Sequence, residues 1–190
     1  MSFPPIHRVV TAHDADGKSV VALNGPLPTV VDIAALPGLI FHEVWETQGT
    51  PAPVDNGPDP TLQPMTHRAP ANGTRIRFVD MPPDENLTGG ESQIKELFVE
   101  LNGVDAMMLR DDSPHPMMHR HEAVDYGIVL EGEVVLVLER EEIALRPGSV
   151  VIQRGTNHAW SNRSGKPCRM VFIQIDGRYG PTVEAALSRQ

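Results

Sequence analysis

The feature that most restricts this chain is a rhythm in its second half. From Met117 to Asp176, short runs rich in β-branched and aromatic residues (YGIVL, EVVLVLE, EEIAL, SVVIQ, AWSN, CRMVFIQID) are separated by Glu131-Gly132, Pro147-Gly148, Arg154-Gly155 and Ser164-Gly165. Each run is too short for a helix that buries a face, and each ends in residues that favour turns. Strands arriving about every ten residues predict an antiparallel sandwich or barrel, and closing the sheet removes exposed strand edges.

The first half reads differently. Thirteen of the 18 prolines precede residue 90, which predicts short extended pieces joined by loops. Arg8–Ala12 and Ser19–Leu23 flank Asp16-Gly17 and predict a hairpin, and Leu39–Thr47 and Thr74–Asp80 are the next expected strands. Residues 49–73 form an irregular segment of a length that is usually functional or mobile, read here as a flap or a dimer arm. Glu91–Leu101 places Ile94, Leu97, Phe98 and Leu101 at helical spacing and predicts a short helix over the barrel edge. With 190 residues and 40% hydrophobic content the chain suits a single domain. Its expected parts are N-terminal strands, loop and helix over 1–106, a barrel over 107–176 and a tail over 177–190.

Charge and cysteine usage exclude several partners. A formal charge of −9, from 16 basic and 25 acidic residues without a basic run, argues against nucleic acid and anionic membranes. Cys168 is the sole cysteine, so no intrachain disulfide forms, and the start MSFPPIHRVV lacks the layout of a secretory signal. The longest apolar stretches, such as residues 134–138, fall short of the ~20 residues a membrane helix needs. A cytoplasmic location is expected.

The chemistry concentrates in His119-Arg120-His121-Glu122-Ala123-Val124-Asp125. Residues i and i+2 of an extended strand share a face, so the two imidazoles project together. A carboxylate at Asp125 can approach the same point, and His158, on a later strand after Arg154-Gly155, supplies a third imidazole. The predicted metal ligands are therefore His119, His121, Asp125 and His158. Such donors suit one divalent transition metal, iron, manganese, zinc or nickel, better than calcium.

At these residues the chain resembles the cupin superfamily. The first cupin motif is matched by His119-x-His121, three residues, Asp125, six residues and Gly132; the second by Gly148, then Gly155, Thr156, Asn157, His158, three residues and Asn162. Asp125 stands where the family usually has Glu, and Gln153-Arg154 where proline is usual. The resemblance covers residues 119–162 by motif and reaches about Asp176 by strand pattern. It implies an all-β fold, a cupin-type antiparallel β-barrel (double-stranded β-helix, or jelly roll), with extra N-terminal strands and one or two short helices, and a homodimer.

Other residues have plainer readings. His115 is expected to be a solvated loop histidine, with a role beside the metal ligands or the substrate as the lesser alternative. Met117 and Met118 suit barrel packing, and Trp160 should share the face of His158. Tyr126 should point away from Asp125, Arg154 suits a structural hydrogen bond or an acidic substrate, and Cys168 a buried strand position.

Two classes of function remain open. One is a metal-dependent enzyme acting on a small organic molecule in the barrel, either a dioxygenase or a non-redox isomerase, lyase, cyclase or decarboxylase. The other is a non-catalytic barrel that binds a small molecule or a metal, as a sensor or a store.

Overall fold

In the computed structural model, which describes residues 3–108, 110 and 112–189, the turn-punctuated rhythm becomes a run of antiparallel strands. The first hairpin joins β1 (His7–His13) to β2 (Ser19–Pro26) as a separate two-stranded sheet. Strands β3 (Val30–Asp32), β4 (Ile40–Thr47) and β5 (Thr74–Met81) follow, then helix α1 (Gly90–Glu100). The motif-bearing half contributes β6 (Ala123–Glu131), β7 (Val134–Leu138), β8 (Glu142–Leu145), β9 (Val150–Arg154), β10 (His158–Ser161) and β11 (Cys168–Asp176), and ends in helix α2 (Pro181–Leu187).

Two sheets form the body: six strands in the order β3-β4-β5-β11-β6-β9, and three in the order β10-β7-β8. This is the antiparallel arrangement that the strand rhythm predicts and the jelly roll that the resemblance implies. The larger sheet is not built from the second half alone, because β5 pairs along β11 from Met81↔Cys168 to Thr74↔Ile175. The chain before residue 107 thus supplies strands β3, β4 and β5 of the barrel's own sheet.

Alternation along these strands sorts the side chains. On β11, Met170, Phe172 and Gln174 face inward, with Met170 fully buried. On β6, Asp125 and Val129 face in while Tyr126 and Leu130 are exposed, as expected for Tyr126. Helix α1 presents Ile94, Leu97 and Phe98 to the core, each at most 1% exposed. Burying side chains of this size stabilises the fold by about 1.5–3 kcal/mol each. Cys168 is buried as expected, and burial pushes its thiol up to about 12.

One irregularity shapes the interior. Strand β4 bulges between Glu43 and Trp45, so that Glu43 pairs with Arg77 and Glu46 with Arg75. Glutamates three positions apart would face opposite sides of a regular strand; the extra residue, Val44, puts both beside arginines two apart. The resulting ion pairs are buried, with Arg77 Nη2 3.1 Å from Glu43 Oε1 and Arg75 Nη2 2.5 Å from Glu46 Oε2. Burial, with Arg75 nearby, lowers Arg77 to about 10 although Glu43 opposes it, which leaves the guanidinium charged at neutral pH.

Candidate metal centre

Where each predicted ligand sits follows from backbone pairing. His158 opens β10, and His119 lies outside any strand on an isolated bridge to it. The His119 N–H donates to the His158 carbonyl at 2.9 Å, and the His158 N–H returns the bond at 3.0 Å. The two rings therefore stand side by side, with centroids 4.3 Å apart. His121 precedes β6 by two residues and Asp125 lies on it, facing the same interior. His119 is thus placed by its bridge to His158, and because neither His119 nor His121 lies in a strand, the alternation expected from the sequence does not set their relation. Gly155 delivers the His158 turn with φ +62°, and a Cβ there would come within 2.8 Å of the Tyr179 ring and 3.0 Å of the His121 carbonyl. Tyr179 closes this corner by donating from its hydroxyl to the Gly155 carbonyl at 2.7 Å.

The imidazoles are poised as neutral donors. His119 Nδ1 lies 2.9 Å from the Met117 carbonyl, and His158 Nδ1 2.9 Å from the Thr156 carbonyl. A carbonyl only accepts, so both Nδ1 atoms carry the proton and each Nε2 keeps its lone pair, the tautomer a metal requires. Burial pushes the His119 pKa down to about 4, against the favourable Met117 carbonyl. Burial, then repulsion from His119, holds His158 well below the usual histidine range.

The site also carries unmatched polar atoms. Both ring nitrogens of His121 and Asp125 Oδ1 are buried without a hydrogen-bond partner. His121 Nε2 and Asp125 Oδ2 are 3.4 Å apart. Among the described residues no three His, Cys, Asp or Glu groups stand in a ready-made coordination geometry, so the fit of a metal rests on donor chemistry. That chemistry fits: two donors about 2.1 Å from one ion are separated by about 3.0–3.4 Å, and buried polar atoms without a partner point to something that completes them.

These groups line one end of a cavity of about 110 Å³. Its walls are mainly apolar, with Phe41, Val79, Phe98, Trp160 and Phe172 among them, and His67, Arg77, Asp84 and Gln174 add polar groups. Trp160 stands edge-on to His158 at 5.6 Å, as the shared strand face predicted. Met118 is fully buried behind the wall and Arg154 points to solvent, away from the cavity. His115 departs from its expectation as a solvated residue: it is 7% exposed, with Nε2 3.5 Å from Asp84 Oδ2.

One residue at the site carried no signal in the sequence. His67, from the long segment before β5, stands edge-on to His119 at 5.5 Å and to His121 at 5.3 Å between ring centroids. It sits among prolines with no periodicity around it, and only the length of its loop hinted at a role.

The Cupin domain family matches residues 108–174. Cupin-domain-containing oxidoreductase srdB of Neurospora crassa is 44% identical over 176 residues, covering 89% of this chain and 72% of that protein. Phomopsin biosynthesis cluster protein C' of Diaporthe leptostromiformis is 34% identical over 175 residues, covering 90% of this chain and 79% of the relative. Among solved structures, a Cupin 2 conserved barrel domain protein from Salinispora arenicola CNS-205 overlaps 82% of this chain and 88% of its own at 14% identity, with a TM-score of 0.39. Strand order, motif residues and relatives aligned along most of both chains agree, and the chain belongs to the cupin superfamily.

Proposed function

We propose that the protein is a metal-dependent cupin oxidoreductase acting on a small, mainly apolar organic molecule. The observation that carries this reading is the set of neutral imidazoles at His119 and His158, tied off through Nδ1, beside the unmatched donors of His121 and Asp125. Those four residues would hold the metal. A redox-active divalent ion bound there would supply electron transfer and a place for substrate to coordinate. The names of relatives in Neurospora crassa and Hypocrea virens, cupin-domain-containing oxidoreductases, favour redox over non-redox chemistry.

The chain's own residues then set what is bound. Phe98, Trp160 and Phe172 exclude water and accept an apolar body. Arg77 is already neutralised by Glu43, so among the described residues no uncompensated Arg or Lys lines the cavity to take an acidic substrate. Gln174 Oε1 is buried without a partner and lines the cavity, which suits it to accept a hydrogen bond from a ligand hydroxyl or amine. Pairing of two copies is also part of this proposal, supported by Tyr126, Leu130, Val150 and Ile152 exposed together on the outer face of the paired strands β6 and β9.

The test is elemental analysis of protein purified without an affinity tag or added metal, beside a His119→Ala/His158→Ala double variant. Near-stoichiometric iron that the variant lacks, with oxygen uptake on adding apolar candidate substrates, is the expected result. A native protein that is empty and also refuses iron, zinc, manganese and nickel overturns it. Light scattering checks the dimer.

A further inference from the structure

We infer that His67, delivered by the loop before β5, is an additional ligand of the same metal. This rests on the proposed metal reading and extends its donor set beyond the motif residues. His67 is 8% exposed, lines the cavity, and its Nδ1 is buried without a partner. Rings bound to one ion through nitrogens about 2.1 Å away place their centres about 4.5–5.5 Å apart. The separations of 5.5 Å to His119 and 5.3 Å to His121 are of that size. The ring also meets Phe98, at 6.3 Å between centroids, but two of the three rings around it are imidazoles, and packing alone leaves its Nδ1 unmatched.

The surroundings are built to aim it. Arg75 Nη1 and Arg77 Nη2 donate to the Thr66 carbonyl at 2.5 and 2.8 Å, and Asn102 Nδ2 donates to the Met65 carbonyl at 3.0 Å. The backbone on the N-terminal side of His67 is therefore gripped from β5 and from the end of α1. Gly103 gives the ring its room, since a Cβ there would lie 2.9 Å from His67 Cγ. All these groups lie before residue 108, outside the segment that matches the family. The consequence is chemical: a six-coordinate ion held by His67 as well as His119, His121, Asp125 and His158 has one place left for an outside molecule rather than two.

Cobalt(II) and zinc(II) titrations of the wild type, His67→Ala, His67→Gln and His119→Ala test this, with affinity read by competition with a coloured chelator. The cobalt-loaded absorption spectrum reports ligand number. Both His67 variants should bind at least about tenfold more weakly, with stronger visible bands as coordination number falls. In zinc-loaded, ¹⁵N-labelled wild type, the His67 ring nitrogen should shift on metal addition, a readout that stands even if a variant fails to fold. Binding lost in His119→Ala but unchanged in affinity and spectrum in both His67 variants, with a static His67 nitrogen, overturns the inference alone. Wild type that takes up neither metal overturns it together with the metal reading.

Discussion

A buried histidine–aspartate pair lies against each face of the larger sheet, and the two behave differently. On the outer face His42 Nε2 lies 2.9 Å from Asp80 Oδ2, and Arg169 reaches both Asp80 oxygens, at 2.5 and 2.7 Å. On the inner face His121 and Asp125 stand 3.4 Å apart with no hydrogen bond between them. Burial does not distinguish them, since His42 and Asp80 are 8% and 6% exposed, and His121 and Asp125 6% and 7%. What differs is completion. Burial would raise Asp80, but Arg169 and then His42 outweigh it and hold the carboxyl below its usual range. The inner pair keeps donor atoms in reserve. The same residue types thus build structure on one side and a candidate site on the other, and partner accounting separates the two roles where burial cannot.

The contrast breaks first at Asp80. Asp80→Ala strands Arg169 in a buried position and should cost about 3–5 kcal/mol in urea unfolding without changing metal uptake. Asp125→Ala should change stability by less than about 1 kcal/mol, because no hydrogen bond is lost, yet weaken metal binding; equal stability losses would erase the distinction. Next, the His119→Ala/His158→Ala protein should lose more metal affinity than the about 10–100-fold typical of an outer-shell partner, measured by chelator competition, while His42→Ala leaves affinity unchanged.

Acid titration separates the two faces as well. His119 sits at about 4 in the fold against 6.5 when free. Between those values the unfolded chain binds more protons, so metal-free protein should lose stability as pH falls from about 6.5 to about 4. Asp80 is depressed below 3.8, so its contribution is present above about 3.9 and lost only as pH falls further, through the folded value. Urea midpoints against pH should show the upper limb reduced in His119→Gln and the lower limb reduced in Asp80→Asn. Away from both pairs, Tyr179→Phe removes the bond to the Gly155 carbonyl and should cost about 1 kcal/mol in thermal unfolding.

Much of the barrel was legible because its signals are local. Turn residues bound the strands of the second half, helical spacing placed Ile94, Leu97 and Phe98 on one face of α1, and the His-x-His and His158 motifs marked one end of the interior. What could not be read depends on pairing between distant segments. The bulge at Val44, which turns Glu43 and Glu46 toward Arg77 and Arg75, leaves no trace in residue type. His115 reads as a loop histidine because nothing near it in sequence announces Asp84. His67 is invisible for the same reason: its neighbours at the site are His119 and His121, more than fifty residues away.

The reciprocal backbone bonds between His119 and His158 would also bear on which ions a metal site here accepts. Two rings whose backbones share one rung, and whose Nδ1 atoms are each held by a carbonyl, have little freedom to spread or close around an ion, so their spacing would act as a template. Adjustment would fall to His121 and Asp125, where the chain enters β6 and where both His121 ring nitrogens and Asp125 Oδ1 are without hydrogen-bond partners. Selectivity among metals of different size would then be governed by how far that strand entrance yields, and substitutions there would retune metal preference while leaving the rest of the donor set in place.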